Sequence, residues 1–166
     1  MPTLTPYRAL PQEKRVALLT HAIKASRENR ALFIHRLAAL PGGFRVVTLQ
    51  SWPADKLARE VVRRRAEKPE DELDLLQLLY LELEPAAQIT FFDAAGVTHE
   101  QGKLPDDAEP PYTDAESVKR AADAVLAQHG EDGAHYLRTI ARYNRDGWPG
   151  IEEIVAGLPE GEEPKG

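Results

Sequence analysis

Apolar residues recur at three- and four-residue spacing along most of the chain. Val16, Leu19, Ala22 and Ile23 follow it while Glu13, Lys14, Arg15 and Lys24 take the other side, which predicts a helix over 12–28, entered after Pro11. Asn29 is placed to cap a second helix in which Phe33, Ile34, Leu37 and Leu40 line up before Pro41, Gly42 and Gly43 stop it. The two read as a helical hairpin. The β-branched stretch 44–49 then alternates in side-chain direction and predicts a short strand, closed by Ser51, Trp52 and Pro53.

Pro53 suits a helix entrance, and Ala54, Leu57, Ala58, Val61 and Val62 form one face of a third helix down to Lys68, with a basic opposite face. Pro69 opens a fourth, whose first turn carries Glu70, Asp71 and Glu72 where free amides favour negative charge. Its leucines at 73, 75, 76, 78, 79, 81 and 83 surround it almost completely, so it is expected to be the central core element. At its end Leu79, Leu81 and Leu83 alternate with Tyr80, Glu82 and Glu84, which fits helix or strand.

Beyond Pro85 the period becomes that of a hairpin: strand 89–92, turn Asp93-Ala94-Ala95-Gly96, strand 97–101. Pairing with 44–49 would give three strands, and a lone hairpin is marginal in water. The proline-rich acidic stretch 105–112 reads as a loop, and Thr113 with Glu116 forms a capping box. Val118, Ala121, Ala122, Val125 and Leu126 face inward until His129 and Gly130; Asp132 is placed to cap the next helix through Ala134, Leu137, Ile140 and Ala141. A last short helix holds Ile151, Ile154 and Val155. The expected fold is α+β, mainly helical, with about seven helices and a small antiparallel two- or three-stranded sheet. Its expected extent is a single globular domain over 1–158 with an acidic, disordered tail over 159–166.

Charge changes the picture more than composition does. Residues 1–68 carry 14 Lys/Arg against 5 Asp/Glu, a balance of +9, whereas residues 69–166 carry 7 against 22, a balance of −15. Segregation on this scale points to recognition through charged surfaces. The chain contains no cysteine, which removes disulfides, thiolate metal sites and thiol nucleophiles. The first ten residues lack an apolar signal-peptide core, and no apolar run approaches the length needed to span a bilayer, so a cytoplasmic location away from membranes is expected.

The densest positive cluster is Arg63, Arg64 and Arg65, with Lys56, Arg59 and Lys68 nearby. It fits phosphates or an acidic protein, or else a solvated helix face, since three adjacent arginines point in different directions. His135, Arg138, Arg142 and Arg145 recur at spacings that place them in one stripe, suited to a carboxylate or phosphate or to acids of the same chain such as Glu131 and Asp132. Trp148, Tyr136 and Tyr143 lie close by in sequence and serve either recognition or core. His129, Glu131 and His135 do not have helical ligand-pair spacing, and no nucleotide-binding loop or nucleophile elbow is present, so no metal, cofactor or catalytic residue is assigned. The sequence therefore reads as a macromolecule-binding protein of regulatory, adaptor or inhibitor type, its partner another protein or a second copy of itself in a homodimer. The alternatives are a DNA-binding regulator using the basic helix 54–68, with nucleic acid the weaker case, and a small enzyme whose site is not visible in sequence.

Overall fold

Helix α1 (Gln12–Ala25) starts directly after Pro11 and turns Val16, Leu18, Leu19, Ala22 and Ile23 inward. Ser26 then leaves the helical region, with φ −152° and ψ 149°, and its Oγ accepts from the Asn29 N–H at 3.0 Å to cap α2 (Arg27–Ala38). Asn29 is thus not the cap; its Nδ2 donates instead to the Ala22 carbonyl at 3.0 Å, satisfying the end of α1. After α2 the chain turns through Gly43, where a Cβ would stand 2.5 Å from the Leu37 carbonyl oxygen, so only glycine closes this corner. The computed structural model describes residues 4–159. Apart from Pro159, the tail expected to be disordered lies outside them.

Short helix α3 (Val46–Gln50) leads into α4 (Ala54–Arg64), which buries Ala54, Leu57, Ala58, Val61 and Val62 and packs on α1 and α2. Arg65 ends α4 in the left-handed region at φ 52° and ψ 47°. Helix α5 (Pro69–Leu78) passes into a π-helical turn, Leu79–Leu83, whose closing bond runs from the Glu84 N–H to the Leu79 carbonyl at 2.7 Å. Then come α6 (Ala86–Ala95), α7 (Ala115–Tyr143), a 3-10 turn (Arg145–Gly147) and α8 (Ile151–Ala156). Asp114, not Thr113, caps α7: its carboxylate accepts from the Ser117 N–H at 2.8 Å, a bond that lowers its pKa. The break expected at Gly130 is present: at φ 54° and ψ −123° Gly130 is non-helical, and α7 is two helices meeting there at a kink.

The expected α+β architecture is overturned: the described residues are helical and contain no strand and no sheet, only an isolated bridge between Glu100 and Lys103. Residues 46–49 have no partner strand among the described residues and instead form most of the turn and a half of α3, entered from an extended Arg45. Residues 89–92 lie within α6, where Ala87, Phe91, Phe92 and Ala95 share a buried helical face, and the alanines on both sides favour helix. The presumed hairpin turn is that helix's end. Gly96, at φ 73°, is its left-handed C-terminal residue.

Two compact units meet in sequence at Leu78 and Leu79. The core of the first holds Leu18, Leu19, Leu37, Leu49, Leu57 and Leu76. The second is built around rings: Phe91 meets Tyr136 and Trp148 edge-on at 5.6 and 4.9 Å, and Phe92 stacks on Trp148 at 5.4 Å. Charge follows this division. Residues 4–78 carry 14 Lys/Arg and 9 Asp/Glu, a balance of +5, and residues 79–159 carry 6 and 15, a balance of −9.

Candidate functional site

Most acids of the first unit are already engaged. Arg36 grips the buried Asp71 through two bonds, Nε at 3.1 Å and a terminal nitrogen at 2.9 Å, which raises the arginine's pKa. Tyr7 donates to Glu67 at 2.5 Å, Thr5 donates to Glu72 at 2.5 Å, and Arg8 stands 3.6 and 3.7 Å from those two carboxylates. Burial, and then the Glu67 charge, push the Tyr7 pKa up. This network fastens segment 5–10 onto the start of α5 and leaves Tyr7 and Glu67 inaccessible.

Three of this unit's exposed apolar groups and several of its arginines lie at α2 and α3. Of the α3 side chains only Leu49 is buried; Val46 and Val47 are 44% and 77% exposed, and Phe44 just before them is 37% exposed. Phe44 meets Trp52 edge-on at 4.8 Å, and the Lys56 ammonium sits 4.2 Å from the Trp52 ring centre. Between the two helices Arg27, Arg30, Ala31, Ile34, His35 and Val46 line an open groove of about 400 Å³. Arg30 holds its wall: the guanidinium donates to the Gln50 and Trp52 carbonyls at 3.0 and 2.7 Å, taking up acceptors freed where α3 ends. Arg27 and Arg45 are exposed and have no acidic partner among the described residues. An apolar floor with a cationic rim suits a ligand offering aliphatic side chains beside carboxylates.

The residues singled out by sequence are dispersed. Arg63 bonds Glu60 through two nitrogens, which raises its own pKa and lowers that of Glu60. Arg64 donates to the Pro41 carbonyl at 3.1 Å, and Arg65 is the left-handed end of α4, so the three arginines do three different things. His135 Nδ1 bonds the Tyr80 hydroxyl, whose pKa burial raises. Arg138 donates to the Pro159 carbonyl, Arg142 leans 5.7 Å from the centre of the Tyr143 ring, and Arg145 lies 3.7 Å from Glu152. Trp148 is 1% exposed and belongs to the core, with no hydrogen-bond partner for its indole nitrogen.

No family model, curated protein or solved structure matches this chain.

His99, expected on a strand, lies in the loop after α6; its Nδ1 accepts from the Gly102 N–H at 3.0 Å and its Nε2 donates to Asp93 at 2.6 Å. Both ring nitrogens are occupied in holding that loop. His129 bonds Thr90 at 3.0 Å. Among the described residues no helix is long and apolar enough to cross a membrane, and no group of three His, Asp or Glu is placed to hold a metal ion. Sequence reasoning passed over Arg27, Arg30, Phe44, Val46 and Val47. Their signal was an apolar triplet with no second apolar segment in register to cover it, which the strand assignment concealed.

Proposed function

We propose that the protein is a protein-binding module of adaptor or inhibitor type, which takes an acidic segment with aliphatic anchors onto the α2–α3 face of its basic unit. One observation carries this reading: exposed Phe44 and Val47 adjoin a groove lined by Val46, Ile34, Arg27 and Arg30, and Arg27 and the neighbouring Arg45 have no acidic partner among the described residues. Large apolar side chains left in water beside free guanidinium groups favour a partner that covers the former and neutralises the latter. The apolar contact supplies residence time, and the charge supplies orientation and rapid encounter.

The test is fluorescence anisotropy with a labelled helical peptide of alternating leucine and glutamate character, a lysine counterpart, and duplex DNA. The acidic peptide is expected to bind, to weaken with added salt, and to lose about tenfold in affinity with Val47→Asp. Equal binding of both peptides, an unaffected Val47→Asp variant, or preference for DNA refutes the reading.

A further inference from the structure

We infer that segment 5–10 is a removable plug, and that the socket it fills in the first unit takes an external peptide carrying a tyrosine followed directly by an arginine. The socket is separate from the α2–α3 groove, and the inference stands apart from the function proposed there. Within the segment the backbone bonds are those of a single turn: the Ala9 N–H donates to the Thr5 carbonyl at 2.9 Å and the Leu10 N–H to the Tyr7 carbonyl at 3.1 Å. Pro6, Tyr7 and Leu10 are its buried residues. Its attachment comes from side chains. Thr5, Tyr7 and Arg8 bond Glu67 and Glu72, which lie 59 to 67 positions further along, and Arg15 adds a bond from Nε to the Leu10 carbonyl at 3.2 Å. An aromatic anchor in a pocket with an arginine beside it is how short bound peptides are held. Only Pro11 joins the segment to α1, whose first turn has its own bond, from the Arg15 N–H to the Pro11 carbonyl at 3.0 Å.

The plug fits its socket imperfectly. The Glu67 side chain is fully buried and its Oε2 accepts from Tyr7, but its Oε1 is buried without a hydrogen-bond donor. Arg8 stands 3.6 Å away, too far to serve it, because the same guanidinium also reaches the Glu67 carbonyl at 2.9 Å and the Glu72 carboxylate at 3.7 Å. A buried acceptor without a donor is destabilising, and a better-placed donor removes that cost. A Tyr-Arg segment free of the tether at Pro11 can set its guanidinium on Oε1 and displace the chain's own. With the plug out, the socket presents an aromatic pocket beside two carboxylates, so its ligand is cationic, opposite in sign to that of the α2–α3 groove.

Two measurements on the full chain test this. In hydrogen exchange followed by NMR, the Ala9 and Leu10 amides are expected to exchange about a hundredfold faster than those of Leu19 and Ala22 in α1, because the segment opens without the unit unfolding. In fluorescence anisotropy, the labelled peptide Leu-Thr-Pro-Tyr-Arg-Ala-Leu is expected to bind Tyr7→Ala, whose socket is vacated, at least about tenfold more tightly than the wild type. That binding is expected to vanish when the peptide's tyrosine or arginine is replaced by alanine, or when Glu72→Lys is added to the protein. Should Tyr7→Ala lose helicity by circular dichroism, Thr5→Ala with Arg8→Ala, which strips the polar contacts and leaves the Tyr7 ring, replaces it. Exchange at Ala9 and Leu10 as slow as in α1 overturns the inference, since the segment is then a fixed part of the core. So does peptide binding that is absent from the variant, equal in variant and wild type, or indifferent to the peptide's tyrosine and arginine. A wild type that dimerises and is dissociated by the peptide would make the occupant a second copy's segment and overturn the external one.

Discussion

Three tyrosines should make the protein sensitive to alkali in a countable way. Tyr7 in the first unit and Tyr80 and Tyr136 in the second are buried, and burial raises the pKa of each above the ordinary value near 10. The unfolded chain loses these protons near pH 10 while the folded chain keeps them. Stability is therefore full below pH 10 and falls above it, by about 1.4 kcal/mol per pH unit for each tyrosine. The expected contribution is about 1.4 kcal/mol per unit for the first unit and about 2.7 for the second. Urea unfolding between pH 9 and 11, followed by Trp52 in a Trp148→Phe background and by Trp148 in a Trp52→Phe background, reads the two separately. Tyr7→Phe should remove about 1.4 kcal/mol per pH unit from the Trp52 slope, and Tyr80→Phe or Tyr136→Phe the same from the Trp148 slope. If both probes report one joint transition, the three together contribute about 4 kcal/mol per pH unit and each variant removes a third. Lysines titrate equally in parent and variant and drop out of the difference. A Tyr7→Phe slope indistinguishable from that of its parent would refute the reasoning, because it would mean that this hydroxyl ionises without unfolding.

Ion pairs should differ sharply in worth. Arg36→Ala leaves the buried Asp71 carboxylate with only the Lys68 N–H at 2.8 Å and is expected to cost about 3 kcal/mol in urea unfolding; Arg59→Ala, breaking an exposed pair with Glu13, should cost less than about 0.5 kcal/mol. Gly130→Ala, which forces an L residue to φ 54° and ψ −123°, should cost about 1–3 kcal/mol by thermal melting. Gly133→Ala places a Cβ 2.6 Å from the Val125 carbonyl oxygen, so it should either straighten the kink, seen as a shifted melt, or prevent α7 from forming. Trp148→Ala empties the centre of the ring cluster and should cost about 3–5 kcal/mol; an effect below about 1 kcal/mol would contradict its place in the core.

The helices with long amphipathic registers were legible. For α1 and α4 the pattern located the buried faces, because each side chain's neighbours lie within the same segment. The failures share a cause. Segments 44–49 and 89–92 were judged on windows of four to six residues, in which β-branched and aromatic content outweighs period. Extending the second window to Ala86 and Ala95 reveals the helical face. For α3 no local signal suffices, since its position depends on Arg30 reaching carbonyls 20 and 22 residues away. The proposed site was illegible for the same reason: exposure of Val46 and Val47 is a property of what fails to cover them. Charge segregation was visible in the sequence, but the acids that open α5 face Arg8 and Arg36 within the first unit, so the electrical boundary sits about ten residues later than the residue counts suggested.

Arg30 couples shape to charge. Because one guanidinium both lines the recess and bonds the carbonyls at the end of its α3 wall, electrostatic strength and mouth width cannot be varied independently at that position. A lysine there would preserve the potential, but its ammonium would have to reach both carbonyls that one terminal nitrogen of the guanidinium holds. Specificity for a given visitor is thereby set by mechanical tethering as much as by attraction, and an alanine survey of this rim would credit Arg30 with affinity that belongs to the posture of α3.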